Sequence, residues 1–154
     1  MTNSHLENRA EFEAADGYKL AANIFEPAQP ERGVVLIASA TAVPRGFYSR
    51  FARYLAEQGF KVITFDYRGI GGSKPKTGLR GFKAKMRDWA ALDLVAAVDY
   101  AAKLAGDKPL LYVGHSFGGQ ALGQLPNNRK VSRALFAASQ IGYWKLFPAP
   151  EKYR

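Results

Sequence analysis

The sequence predicts an α/β fold in which parallel strands alternate with crossover helices behind a leading hairpin. Three observations predict it. Gly33 to Ala38 (GVVLIA) is a continuous apolar run of the kind buried on both faces of a parallel sheet, and Phe60 to Phe65 (FKVITF) reads as another strand. Between them Phe47, Phe51, Tyr54, Leu55 and Gln58 fall at helical spacing, with Gly59 where a helix stops, so strand, helix and strand imply a right-handed parallel crossover. The pattern then repeats, with a second helical stripe and a third apolar run, Pro109 to Val113 (PLLYV), that leads into a glycine-rich turn.

Taken in order, Glu11 to Ala15 and Tyr18 to Glu26 read as the hairpin, joined at Asp16-Gly17, with Leu20, Ala22 and Ile24 on one face and Pro27 and Pro30 ending it. Residues 1–9 read as a flexible tail and 10–154 as one domain. After Gly33 to Ala38 a loop runs through Pro44 and Gly46 to the first helix. Phe60 to Phe65 leads into Asp66-Tyr67-Arg68-Gly69-Ile70-Gly71-Gly72-Ser73 and a polar segment, Lys74 to Lys85. Ala91, Leu94, Val95, Val98, Ala102 and Ala105 form the stripe of the second helix, stopped by Gly106. Beyond the glycine-rich turn come a helix from Gly119 to Leu125, a strand from Arg133 to Ser139, and a tail carrying Tyr143, Trp144, Phe147 and Tyr153.

Composition bounds the function classes. A chain of 154 residues suggests one domain able to bury about two thirds of its unfolded surface. The absence of cysteine excludes disulfides and thiolate metal sites and fits a cytoplasmic setting. Residues 1–10 lack an apolar core, and no apolar run approaches bilayer length, so no membrane insertion is expected. The formal charge of +9 attracts polyanions in general, yet no nucleic-acid motif accompanies it. The basic clusters Arg80-Lys83-Lys85-Arg87 and Arg129-Lys130-Arg133 lie in connecting segments and read as solvated surface.

The chemistry centres on Gly114-His115-Ser116-Phe117-Gly118, a G-x-S-x-G motif between strand and helix, the context of a nucleophile elbow. A serine hydroxyl needs an imidazole base oriented by a carboxylate. The chain has two histidines, His5 and His115, and beyond Ser116 no His or Asp and one acid, Glu151. His115 adjoins the nucleophile and directs its ring elsewhere, and His5 sits in the tail. Gly69-x-Gly71 after a strand invites a dinucleotide reading, but the third glycine position is Lys74 and no Walker pattern exists.

Three stretches together, Gly114 to Gly119, the Asp66-Tyr67-Arg68-Gly69-x-Gly71-x-Ser73 loop and the strand-loop-helix of residues 33–58, resemble the α/β-hydrolase family, in its lysophospholipase-like or serine-aminopeptidase-like branch. The resemblance covers residues 10–139 and implies a partial α/β-hydrolase fold, its N-terminal half, cut short after the strand that follows the elbow helix. It implies Ser116 as nucleophile, Gly114 and Gly118 as the small residues of the elbow, and an oxyanion hole from the backbone N–H groups of Phe117 and Ala40, with Thr41 the near alternative. In relatives the position of Asp66 serves a structural turn with Arg68, and Trp89 and Asp93 recur at a helix start as packing residues. Two expectations follow: a serine hydrolase for esters or amides, truncated and inactive alone, or a non-catalytic interaction module that self-associates through an exposed sheet edge. No metal or other cofactor is expected.

Overall fold

The computed structural model describes residues 7–28 and 31–141. A six-stranded sheet carries β1 (Glu7–Glu13), β2 (Lys19–Phe25), β3 (Gly33–Ala38), β4 (Phe60–Phe65), β5 (Leu110–His115) and β6 (Arg133–Ala137) in the order β1-β2-β4-β3-β5-β6. The hairpin strands are antiparallel, and β2 joins β4 antiparallel, while β4, β3, β5 and β6 run parallel. β1 begins at Glu7, four residues before the expected start, so residues 7–9 of the expected tail are paired with β2. The aromatic tail expected beyond residue 141 lies outside the described residues.

The central strand β3 is buried at all six positions, as its unbroken apolar run requires. From it the chain crosses one face through α1 (Ser49–Glu57) to β4, then the other face through α2 (Met86–Asp88), a π-helical turn (Trp89–Leu94) and α3 (Val95–Ala105) to β5. The strand order therefore reverses at β3, and the crevice that this leaves at its C-terminal end is the standard location of a site in an open α/β sheet. α4 (Phe117–Leu122) starts there, directly after β5.

The first crossover helix buries a face other than the expected stripe, and the second buries half of its expected stripe together with neighbouring alanines. In α1 the inward residues are Ala52 and Ala56, with Tyr48 just ahead of the helix and Leu55 half-buried, whereas Phe47, Phe51 and Tyr54 are exposed. Small side chains let the helix approach the sheet closely; the aromatic rings are too bulky for that gap. In the second crossover Leu94, Val98 and Ala105 are buried as expected, but the wide π turn rotates the face so that Ala90, Ala97 and Ala101 replace Ala91 and Ala102.

The π turn also drives Asp93 inward to full burial. Its carboxylate accepts the Arg68 backbone N–H at 2.8 Å and the Arg68 Nε–H at 2.7 Å, and Arg68 reaches outward to Asp16 at 2.7 Å. Burial pushes the Asp93 carboxyl up, against the pull of Arg68, while the hydrogen bond from Arg68 holds the exposed Asp16 carboxyl below its ordinary value of 3.8. A lowered folded pKa means that the Asp16 contribution is complete above the unfolded value and drains as pH falls through the folded one. Asp16→Asn is therefore expected to lower stability at neutral pH and to flatten its decline through the carboxylate range, read from urea midpoints at successive pH values. A variant as acid-sensitive as the parent would show that Asp16 carries none of this linkage.

Candidate active site

The site grows from the C-terminal ends of β3 and β5. Ser116 follows β5 with φ 49° and ψ −112°, in the left-handed half of backbone space, one of three non-glycine residues with positive φ among the described residues. A side chain held there is costly and marks a turn that its surroundings enforce. Enforcement is visible: the Ser116 N–H donates to Ala137 O at 2.9 Å, and the Ser116 carbonyl accepts from Gly119 and Gln120. Gly114 and Gly118 have no room for a side chain. A Cβ on Gly114 would sit 2.5 Å from Gly119 Cα, and one on Gly118 would strike the Ala38 carbonyl of β3.

Two of the backbone donors without an acceptor among the described residues sit just beyond the C-terminal ends of β3 and β5. One is the Phe117 N–H at the start of α4. The other is not the Ala40 N–H, which was expected to be the second oxyanion donor. Ala40 is buried, and its N–H donates to Tyr48 Oη at 2.9 Å. The exposed neighbour Thr41 keeps a free N–H, in a tight turn closed by Val43 N–H to Ala40 O at 3.2 Å with Ala42 at φ 60°.

His115 is turned away from Ser116. Its Nδ1 lies 2.9 Å from Tyr48 Oη, and the two rings meet edge to face. Tyr48 Oη accepts the Ala40 N–H and shares a hydrogen bond with His115 Nδ1, so one phenol ties the β3–α1 loop to the elbow. Burial pushes the Tyr48 hydroxyl pKa up. Sequence reasoning missed Tyr48 because it chose the aromatic stripe of the helix; the residue was findable as the one aromatic in register with Ala52 and Ala56. His5 lies outside the described residues.

The surrounding loops are braced by charge. Asp66, buried at the end of β4, accepts the Arg45 N–H at 2.6 Å and the Gly72 N–H at 2.8 Å and pairs with the Arg45 guanidinium, which also donates to Asn23. A carboxylate therefore fills the Gly69–Gly72 turn where a dinucleotide would place phosphate, and a 3₁₀ turn rather than a helix follows. Trp89 stacks on Tyr67 and meets Phe117 edge to face, while its Nε1–H donates to Arg68 O at 3.0 Å. It anchors the packing behind the elbow.

Known proteins resemble this chain in sequence and in fold. A monoacylglycerol lipase of Mycolicibacterium smegmatis is 29% identical over 117 residues, 75% of this chain and 40% of that protein. Lysophosphatidylserine lipase ABHD12 of Gallus gallus is 33% identical over 87 residues, 55% of this chain and 21% of that protein. A soluble variant of monoglyceride lipase from Saccharomyces cerevisiae, solved in complex with a substrate analog, superposes with a TM-score of 0.73 at 24% identity, over 92% of this chain and 47% of that one, a likeness of fold. The chain thus spans less than half the length of each. Residues 29–152 match the family described as serine aminopeptidase, S33. With the elbow, the sheet order and that match in agreement, the chain belongs to the serine aminopeptidase S33 family of α/β-hydrolases.

Proposed function

We propose that this chain carries the nucleophile of a serine hydrolase that cleaves carboxylic esters through an acyl-enzyme on Ser116. The observation that carries the reading is the enforced positive φ of Ser116 beside the free Phe117 N–H. In this chemistry Ser116 Oγ attacks the ester carbonyl and gives its proton to a base. The oxyanion accepts hydrogen bonds from the Phe117 and Thr41 N–H groups, the alcohol leaves with a proton, and water then releases the acid. The relatives named as lipases favour esters over amides.

The base is not among the described residues, since His115, the only described histidine, is held by Tyr48. It comes from elsewhere, either from the chain's other residues, from a longer polypeptide or from a partner. A missing imidazole can be replaced by imidazole in solution. The expected result is that the folded 154-residue chain reacts slowly with a fluorophosphonate, that added imidazole accelerates the reaction, and that Ser116→Ala shows no adduct by intact mass. Fast labelling without imidazole would place a working base within the chain. No adduct under either condition, in a protein folded by circular dichroism, would sink the hydrolase reading.

That last outcome favours an interaction module. The specific observation behind it is β6, exposed at all five positions, with Leu135 and Phe136 facing solvent. An open edge strand of this kind recruits another strand. Such a module would be indifferent to Ser116→Ala and would show mass rising with concentration in light scattering.

A further inference from the structure

The run from Lys74 through Arg87 carries Lys74, Lys76, Arg80, Lys83, Lys85 and Arg87 without one acidic residue. All six are exposed, and none forms an ion pair among the described residues. Elsewhere Lys19, Arg45, Arg53, Lys61, Arg68, Lys108 and Lys130 are each matched with a carboxylate. Asp88, the first acid after the run, spends its carboxylate on the Lys85 backbone N–H at 2.8 Å. Of the twelve described cations without an ion pair, six fall in this one loop, while Arg9, Arg32, Arg50, Lys103, Arg129 and Arg133 are spread over the rest of the chain.

The loop is built rather than loose. Gly78 N–H donates to Pro75 O at 2.9 Å and Phe82 N–H to Leu79 O at 3.0 Å, two consecutive tight turns, and the Phe82 ring packs on Tyr18. Among the cations it holds two large apolar side chains in solvent, Leu79 at 50% and Met86 at 49% exposure. It leaves the C-terminal end of β4, parallel to β5, and so lies on the same edge of the sheet as Ser116. A groove lined by Met86, Arg87, Ala90, Ala91, Phe117 and Gln124 connects the end of the loop to the residue after the nucleophile.

We propose that this loop docks the protein on an anionic lipid surface, the cations meeting headgroups and Leu79 and Met86 resting in the interfacial layer. The exposed apolar pair is what favours lipid over nucleic acid, which offers no apolar layer beside its phosphates. Docking is peripheral, since no helix of the described residues is long and apolar enough to cross a membrane. It revises the expectation that the loop is solvated surface alone. It stands apart from the hydrolase reading, because vesicle binding and Ser116 labelling are separate readouts.

The test compares binding to phosphatidylcholine vesicles with and without phosphatidylserine by flotation. Arg80→Gln/Lys83→Gln/Arg87→Gln removes three loop charges. Lys103→Gln/Arg129→Gln/Arg133→Gln removes three at the opposite edge of the sheet, about 20 Å away for strands of this length and well beyond a Debye length of about 8 Å. The expected result is phosphatidylserine-dependent binding that falls about a hundredfold in the loop variant, about fivefold per charge, and changes little in the matched one. Leu79→Asn/Met86→Gln is expected to abolish the fraction that survives high salt. Equal losses in the two charge variants, no binding to anionic vesicles, or tighter binding to a duplex oligonucleotide than to vesicles would each overturn the proposal.

Discussion

Asp93→Ala is expected to destabilise the protein by about 3 kcal/mol, a large part of the 5–15 kcal/mol that holds a typical domain together. The cost comes from the partner left behind. Arg68 is 8% exposed at its side chain and makes two charge-assisted contacts with Asp93 at 2.7 Å, through Nε and Nη2. Removing the carboxylate leaves that charge with Asp16, at the rim, as its single remaining acid, and strips the Arg68 backbone N–H of its acceptor. The residual pair to Asp16 keeps the loss at the lower end of the range for a broken buried ion pair. Replacing both partners, as Arg68→Met/Asp93→Leu, is expected to cost much less, because no buried charge is then orphaned. The measurement is the urea midpoint by circular dichroism at unchanged slope. A single variant no worse than the double would mean that Arg68 finds solvent, and that the ion pair is not what holds the π turn to the β4 loop.

The same substitution reaches the site through Trp89, whose indole N–H rests on the Arg68 carbonyl and whose ring meets Phe117. Such coupling was only partly legible in the sequence. β3 and β4 could be bounded to the residue: Gly33 to Ala38 is a continuous apolar run, read as a strand buried on both faces, and Phe60 to Phe65 is a β-branched and aromatic stretch set between Gly59 and Asp66. The elbow was equally plain, since its glycines answer to contacts that any side chain would violate. Helix faces were harder. Hydrophobicity marks Phe51 and Tyr54 as core, yet closeness to the sheet is decided by volume, which selects Ala52 and Ala56. A π turn shifts the register without a sequence signature, which is why Asp93 went unrecognised as a buried charge. The hydrogen bond to Ala40 was hidden for a related reason: only the fold shows that Tyr48, eight residues on, claims its N–H.

The elbow supplies a second test in which one helix is probed at two points. Gly118→Ala places a methyl 2.7 Å from Ala38 C and 2.8 Å from Ala38 Cβ, and against the Ala38 carbonyl oxygen. Ala38 is wholly buried strand backbone held between β4 and β5, so the helix must yield. The expected loss is about 3 kcal/mol, the upper end of what overpacking costs. Reactivity falls further than stability. If α4 retreats by about 1 Å, the Phe117 N–H leaves the developing oxyanion and imidazole-assisted labelling of Ser116 drops about a hundredfold. Gly123→Ala is the counterpart: its backbone is already helical at φ −65°, and a Cβ there meets nothing within 4 Å. It is expected to stabilise by about 0.4–1 kcal/mol, by restricting the unfolded chain, and to leave labelling unchanged. The two variants share the same chemical change, so the difference between them isolates the contact with β3. Equal stability and equal labelling would show that the elbow helix has slack, and that its closeness to β3 does not set the position of the nucleophile.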